Sequence, residues 1–552
     1  MSHLSKVFNK VPVKVQDRSG FDMSHENLFS AKIGTLIPAS VEEVMPGDVV
    51  SVGGAVSVEL PPLATNFKGR VDARLEAFFV PNRLIWAGWQ DYICQDPNHT
   101  PAVPSFTVPS SIPMVTVNVT NGGPGSLTDY LGVKSIYPTQ GSSVTSVQVN
   151  ALPYLAYQKI IDDWYRDSNI QQPFFIDGMS SQAQATNIGA AFAPYARFSG
   201  VMSAGNSPGQ SGVFGGSTVG YNGRDLRSLA QRNFAKDYFT TMTTRPQAGA
   251  ASELSFDVVS DTTDVNGNEM AGTGKFSIAS LRTANALQKW LERNNIAGTR
   301  YYDQILAHYG VLPSDAVFQR SVLLGGMTCP VIINSIAQNS QIGSNGQTKN
   351  PYANSTGAQF GRGNAFGKDS LIDRFEVKEH GYIFIMFSLV PHAYYSTGSR
   401  RYMIARNTSD SFAFPEFAGI GDQEVYKAEM TSNMDAIVGA DVVGYSQRYA
   451  EYKYHDDEIH GLLQDGQSLN SFVLSRGFDA SVALSSSMLE IPTTFMDSVM
   501  VTTAGVSGFN AIVDAYFDAK YLRPLPEYSL PTLCESEGEG HKVYVPKGGT
   551  RL

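Results

Sequence analysis

A strand that becomes apolar on both faces and then stops at a proline constrains the fold of this chain most. Residues 71–80, VDARLEAFFV, alternate apolar and mostly charged side chains at a period of two, which predicts a β-strand. The alternation ends at Phe78 and Val80, which make both faces apolar, so we expect protein layers above and below the strand. Pro81 fixes φ and lacks a hydrogen-bond donor, so the strand is predicted to end there.

Two tryptophans follow this strand. The chain has 4 Trp, and Trp86 and Trp89 are half of them. Because large aromatic rings bury much surface, two indoles this close together favour a packed corner. No side chain in the stretch is typical of a nucleophile or a metal ligand. We therefore predict a structural anchor that consists of Phe78, Phe79, Pro81, Trp86 and Trp89.

Other segments indicate further strands. Residues 382–390, YIFIMFSLV, are the most apolar run and predict a fully buried strand. Residues 511–519 alternate and predict a strand with one inward face. Residues 56–60 are expected to pair with the strand at 71–79. No regular βαβ alternation occurs, so the pattern favours a β-rich chain over a doubly wound sheet.

Helices are predicted between the strands. Pro153 is suited to the first turn of a helix, and aromatic residues recur at helical spacing after it. A core-packing stripe is a better interpretation of these rings than a base-stacking platform. In a later helix, Leu281 and Leu287 belong to one apolar face, and Arg282, Lys289 and Arg293 lie largely outside it.

The composition narrows the class of protein. The net charge is −10, which excludes a globally basic nucleic-acid binder. Only 17% of residues are charged, and aromatic residues and glycine are prominent, as in proteins whose surface is covered by neighbours. Cys94, Cys329 and Cys534 match no metal spacing and are interpreted as reduced thiols. We find no signal peptide and no apolar run long enough to span a membrane, so we expect folding in a bacterial cytoplasm and no membrane insertion.

Several segments differ in composition from the rest. Residues 176–223 are rich in Gly, Ser, Ala, Gln and Asn, and residues 247–275 are more acidic. Stretches of this length without a regular pattern are typical of functional loops. We predict one domain over residues 1–552, with surface excursions at 176–223 and 247–275. An N-terminal arm at 1–30 and a polar C-terminal tail at 535–552 complete this division.

Motifs that resemble catalytic or metal sites lack the required context. Residues 205–209, GNSPG, match G-x-S-x-G, but no strand and helix flank the serine. His455 and His460 flank three acidic residues at a spacing that does not suit a metal, so a charged turn is the better interpretation. Residues 272–275, GTGK, lack the earlier glycine of a phosphate loop. His380, after Glu379, is interpreted as a structural histidine. We expect no catalytic residue, no metal and no cofactor.

A series of segments in order along the chain carries a family resemblance. They include RSGFDMSH at 18–25, LIPASVEEVMPGDVV at 36–50, LPYLAYQKIIDDWYRD at 152–167, KDYFTTMTTRPQAG at 236–249 and DAYFDAKYLRPLPEYSLP at 514–531. In these segments and in RLEAFFVPNRLIWAGW, the chain resembles the major capsid proteins of the microviruses, bacteriophages with single-stranded DNA, and of these the gokushovirus-like branch most.

The resemblance implies a fold, a function and partners. The implied fold is mainly β, an eight-stranded viral jelly roll with long loop and helical insertions. The implied function is a major capsid protein that assembles, through pentamer intermediates and in about sixty copies, into a small icosahedral T=1 shell around circular single-stranded DNA. The implied partners are an internal scaffolding protein, a DNA pilot protein, a small basic DNA-binding protein and a host surface receptor.

The N-terminal arm is the candidate contact with that genome. Lys6, Lys10, Lys14 and Arg18 stand against a single acid, Asp17, in the first twenty residues. The functional hypothesis is an arm on the inner shell surface with these four cations near DNA, and the alternative is an ordinary solvated terminus. A net acidic subunit must segregate its positive charge to line a cavity that holds a polyanion.

A different class of function is also considered. A carbohydrate-binding or carbohydrate-processing β-sandwich would be β-rich and aromatic too. A glycosidase of this kind needs two carboxylates in a cleft, and the sequence spacing nominates no such pair.

Overall fold

The computed structural model describes most of the chain, with gaps. Described residues are 10–15, 18–61, 63–86, 89–94, 112–118, 122–134, 146–171, 213–214, 226–249, 278–298, 300–312, 314–315, 320–337, 359–406, 411–431, 441–500, 511–527 and 541–546. The predicted excursions at 176–223 and 247–275 therefore lie almost wholly outside the described residues.

The strands are β1 (Lys10–Val15), β2 (Ser19–Asp22), β3 (His25–Ala31), β4 (Ile37–Val44), β5 (Val49–Glu59), β6 (Val71–Pro81), β7 (Met114–Asn118), β8 (Ser146–Asn150), β9 (Val213–Phe214), β10 (Val322–Pro330), β11 (Ile332–Ala337), β12 (Gln359–Glu376), β13 (Gly381–Pro391), β14 (Gln423–Tyr426), β15 (Val442–Ser446), β16 (Ala511–Arg523) and β17 (His541–Pro546). The helices are α1 (Asn82–Ile85), α2 (Trp89–Cys94), α3 (Leu127–Tyr130), α4 (Leu152–Ile160), α5 (Ile278–Ala297), α6 (Tyr301–Tyr309), α7 (Arg401–Ile404) and α8 (Ser486–Leu489). Helix α4 continues as a π-helical turn at Ile161–Tyr165.

Two antiparallel sheets form a sandwich. The four-stranded sheet has the order β10-β6-β13-β4, and the larger sheet has the order β11-β12-β5-β16-β2, with β3 also paired to β16. Strands that are distant in sequence lie side by side, and most consecutive strands change sheet, as in a jelly roll. The mainly β jelly-roll prediction is thus confirmed. Among the described residues the two sheets contain four and six strands, so the predicted count of eight is not established.

The position of strand β13 in the fold explains why its sequence is apolar throughout. It lies between β6 and β4, and all of its residues are buried. Ile383, Ile385 and Phe387 face the core between the two sheets, whereas Tyr382 and Phe384 face a second apolar cluster that includes α4. The four-stranded sheet is therefore the middle of three layers, and a strand at its centre has no polar side.

Strand β16 shows the opposite pattern because only one face of its sheet is covered. Its odd-numbered residues from Ala511 to Tyr521 are buried in the sandwich core, and Ile512, Tyr516 and Leu522 are exposed on the other face. The predicted alternation of residues 511–519 is therefore observed.

One packing prediction is wrong. Residues 56–60 do not pair with the strand at 71–79, because β5 pairs with β12 and β16 while β6 pairs with β10 and β13. The segment between β5 and β6 crosses from one sheet to the other. The apolar face of α5 is incompletely covered, since Leu281 and Leu287 are both exposed.

The two chain ends pair with each other. The backbones of β1 and β17 form an antiparallel ladder in which Lys14 is opposite Lys542. The segment predicted as an N-terminal arm thus contains strands β1, β2 and β3. Both β2 and β3 pair with β16.

Candidate structural anchor, genome-facing and assembly surfaces

The predicted anchor begins with two rings on opposite faces of β6. Phe79 lies in the sandwich core, 5.2 Å from the ring of Phe375. Phe78 lies in the second cluster, where the rings of Trp164 and Tyr165 are 5.8 and 5.9 Å away. The two adjacent phenylalanines therefore join the middle layer to both neighbouring layers. This geometry follows from the alternation of side chains along a strand.

Pro81 and the two tryptophans form the turn out of the sheet. Pro81 is buried and is the N-cap of α1. Trp86 and Trp89 are half-buried against the second cluster, and Trp89 packs 5.6 Å from the ring of His380. Arg83 donates two hydrogen bonds to Glu379, at 3.0 and 3.1 Å. His380, predicted above to be a structural histidine, thus packs against the anchor, and Glu379 binds the helix that follows Pro81.

A half-buried ion pair lies on the face of the four-stranded sheet that also carries Phe78. Arg232 donates hydrogen bonds of 2.6 and 3.0 Å to the two carboxylate oxygens of Glu76, and the Tyr165 hydroxyl donates a third. Burial raises the pKa of Glu76, but the hydrogen bond and charge of Arg232 outweigh it, so the pKa lies below its usual value. These groups border a cavity of about 820 Å³ in which Arg166 and Lys236 also face carboxylates. Because these cations are neutralised locally, we interpret the cluster as structural.

The four cations of the predicted DNA-facing arm are placed unequally. Lys6 lies outside the described residues, and Lys10 and Lys14 are defined only by their backbone positions in β1. Arg18 is exposed just before β2, and its Nη2 lies 3.4 Å from Glu376 Oε1. The structure thus places Arg18 beside the larger sheet, and it does not bring the four side chains together into a described site.

The open face of the larger sheet has a distinct charge. Small residues of β5, among them Gly53, Ala55 and Ser57, form its floor between β12 and β16. Its cations are outnumbered by carboxylates; the cations are Arg362, Lys368 and Lys520, and the carboxylates are Asp22, Glu26, Glu59, Asp514 and Asp518. A hydrogen bond and the charge of Asp514 raise the pKa of Glu26. An acidic face of this kind repels a polyanion.

The histidines considered for catalysis are on the surface. His455 is exposed, and His460 Nε2 lies 3.1 Å from Glu458 Oε2. Between them, burial and the nearby carboxylates of Asp237 and Glu458 raise the pKa of Asp456 to about 7. Within the described ranges no group of three or more His, Cys, Asp or Glu side chains is arranged to hold a metal ion. The motifs at 205–209 and 272–275 lie outside those ranges.

Residues 403–420 carry a feature that was missed in the sequence. Met403, Phe412, Phe414, Phe417 and Ile420 are all exposed. The signal was the segment SFAFPEFAGI at 411–420, which has three phenylalanines around a proline and a single charge. Its period matches neither a strand nor a helix, so it was not singled out.

No described helix is both long enough and apolar enough to cross a membrane. The described geometry defines a β-sandwich protein with a three-layered core and large insertions between strands.

Comparison with known proteins assigns the family. A family model described as "Capsid protein (F protein)" matches residues 9–533. The chain belongs to this capsid protein family. It is 26% identical to capsid protein VP1 of Bdellovibrio phage phiMH2K, over 96% of this chain and 98% of that protein. It is 27% identical to capsid protein VP1 of Chlamydia phage 1, over 95% and 97% respectively.

A third relative is capsid protein VP1 of Spiroplasma virus 4, which is 24% identical over 96% of this chain and all of that protein. The resemblance to microvirus capsid proteins is thereby confirmed. The chain is a capsid protein located in the virion, a structural protein and not an enzyme. The carbohydrate-processing alternative is left without support.

Proposed function

We propose that this capsid protein is the major subunit of a small icosahedral T=1 shell of the gokushovirus type, in which about sixty copies enclose circular single-stranded DNA. The observation that carries the proposal is the family match over residues 9–533. A shell of identical subunits needs several different contacts per subunit, and long insertions between strands supply surfaces for them. The whole chain acts as one jelly-roll domain, with excursions at 176–223 and 247–275 and a tail at 535–552.

Assembly proceeds through pentamers and uses other phage proteins. The resemblance to microviruses supports an internal scaffolding protein, a DNA pilot protein, a small basic DNA-binding protein and a host surface receptor as partners. The test is to express the chain with and without the scaffolding protein, then to separate the products by sedimentation and examine them by negative-stain microscopy. We expect pentamers and closed shells with fivefold and threefold symmetry. A protein that remains monomeric under every condition would contradict the proposal.

The basic arm contacts the genome. Two observations support this part of the proposal: the chain has a net charge of −10, and the open face of the larger sheet, next to Arg18, is acidic. Because neither can neutralise phosphates, the cations of residues 1–18 are the local source of positive charge. Nonspecific binding of single strands depends on such backbone neutralisation.

Replacing Lys6, Lys10, Lys14 and Arg18 by Gln tests the arm. We expect less packaged DNA, and a salt slope for DNA release that falls by about 0.7 for each lost phosphate contact. The matched control replaces three exposed cations of α5, Arg282, Lys289 and Arg293, by Gln. Unchanged packaging in the arm variant, or an equal loss in the control, would remove the hypothesis without affecting the capsid assignment.

A further inference from the structure

An apolar patch covers one end of the insertion between β13 and β16. We define the aromatic patch as Met403, Phe412, Phe414, Phe417, Ile420 and Tyr452. Their exposed fractions run from 40% for Phe417 to 73% for Met403. With side chains of about 200 Å² each, the patch exposes roughly 600 Å². That equals or exceeds the largest patch of a typical monomer, so it marks an interaction site.

Direct contacts hold several residues of the patch in place. The Arg406 guanidinium lies 5.9 Å from the ring of Phe412 and 5.3 Å from that of Tyr452, which links residues on two segments. Phe414 and Phe417 pack edge to face at 6.1 Å around Pro415, within a 3₁₀ turn. Because proline fixes its own φ and the rings hold each other, little conformational entropy is lost when a partner covers the patch.

Three arginines around the patch are already paired with carboxylates within the subunit. Arg406 contacts Glu451 at 2.8 Å, Arg401 contacts Glu429 at 2.8 Å, and Arg400 contacts Glu458 at 2.6 Å. No guanidinium of this group is left for phosphates, so the patch does not suit DNA, whose binding depends on backbone neutralisation. Apolar rings beside a paired arginine are typical of the core of a protein–protein interface.

We propose that the aromatic patch is a contact between copies of this chain, covered by a second subunit in the shell. This rests on the proposed self-assembly. The area of the aromatic patch favours a second copy of this chain as the partner, because the patch supplies most of the roughly 800 Å² that each partner contributes to a stable interface. A shell also provides a second copy at every such patch. The contact joins subunits or pentamers into shells, and the isolated subunit folds without it.

The test introduces a charge into the patch without disturbing the core. Phe417→Asp and Ile420→Asp are made singly, and soluble protein is checked for folding by circular dichroism. Ile420 is the more exposed of the two, so its variant keeps the test valid if Phe417→Asp fails to fold. The matched control is Phe366→Asp, which places the same charge at a 74% exposed phenylalanine on the open sheet face.

We expect folded patch variants to give at least about tenfold fewer shells by sedimentation, the effect of losing a residue that dominates an interface. Phe417→Leu and the Phe366→Asp control should assemble as the wild type does. Shells at wild-type yield from both patch variants, or an equal loss in the control, would overturn the inference while the wild-type shells uphold the capsid function. Loss of scaffolding-protein binding by the isolated variant subunit would also overturn it, because the patch would then serve that partner.

Discussion

The sandwich and the insertion after β13 are stabilised in different ways. The sandwich core consists of apolar side chains on long strands, such as Phe387, Phe517 and Val58. In its described residues the insertion, 393–500 with 226–249 against it, has the short strands β14 and β15, the short helices α7 and α8, and several 3₁₀ turns. Its centre holds buried charge: Arg476 lies 4.2 Å from the ring of Phe234 and donates a hydrogen bond to the Tyr395 hydroxyl, which donates in turn to Asp237.

The sandwich and the insertion differ in the groups that satisfy their backbone hydrogen bonds. Strands satisfy one another's backbone groups, so their side chains are free to be apolar. Loops do not, and buried polar side chains such as Arg476 and Gln423 must bond to backbone groups instead. The first arrangement resists changes in pH, whereas the second depends on the protonation state of its members.

The largest expected effect is in the sandwich. Phe384→Ala removes a ring from the fully buried β13, and we expect the free energy of unfolding to fall by about 3–5 kcal/mol. Urea unfolding and the soluble fraction measure this change. Phe366→Ala, on the open face, is the control and should change stability by less than about 0.5 kcal/mol. Similar losses of stability in both variants would mean that the buried position of Phe384 and the open-face position of Phe366 contribute equally to stability.

The second prediction concerns the insertion. Arg476→Ala removes the hydrogen bonds that Arg476 donates to the Tyr395 hydroxyl and to the Met488 carbonyl, together with its packing on the Phe234 ring, which should destabilise this region by about 3 kcal/mol. Hydrogen exchange should show the loss in residues 393–398 and 473–491 but not in β13 and β16. Arg476→Met keeps much of the packing against the aromatic rings and should therefore destabilise the region less than Arg476→Ala. Equal exchange throughout the protein would show that the two regions unfold as one unit.

A smaller effect is expected at the anchor, which joins the middle layer of the core to its neighbouring layers. Trp86 is half-buried, so Trp86→Ala should lower the free energy of unfolding by about 2 kcal/mol, below the range for a fully buried ring. Trp86→Phe should recover part of this loss. Thermal unfolding of the soluble subunit gives the comparison, and a change near zero would mean that the corner does not depend on this indole.

The smallest effect depends on pH. The pKa of Asp456 is raised from 3.8 to about 7, so the folded state binds this proton more tightly than the unfolded state does. The stabilisation of the folded state by this protonated carboxyl group is complete below about pH 4 and is lost as pH rises through 7. Because the side chain is partly exposed, we expect only about 1 kcal/mol. Asp456→Asn should remove this dependence and be the more stable at pH 8; identical pH profiles for wild type and variant would contradict the assignment.

The same difference decides what could be predicted from the sequence. The strands at 71–81, 381–391 and 511–523 were recognised because alternation, or its absence, follows directly from one or two covered faces. The sheet to which each strand belongs was not recognised. The crossing from β5 to β6 leaves no local signal in the sequence, so the two strands were expected to form a hairpin. The network around Arg476 joins residues more than two hundred positions apart, and no periodicity marks it.

The site residues divide in the same way. Phe78 and Phe79 could be identified because two adjacent rings end an alternating pattern. The aromatic patch was missed because its rings follow a proline turn rather than a repeat. For the basic arm, the local excess of positive charge was visible in the sequence, but which side of the shell it occupies depends on neighbouring subunits and remains a prediction.

The position of β16 gives the synthesis of this protein a timing constraint. Strand β16 separates β5 from β2 and β3, so the first strands to leave the ribosome find their partner only when residues 511–523 have emerged. The ladder between β1 and β17 closes later still. A prematurely terminated polypeptide therefore has a gap in the middle of its larger sheet, with exposed strand edges that chaperones and proteases recognise. We therefore expect the fold to act as a length check, so that only completed chains assemble.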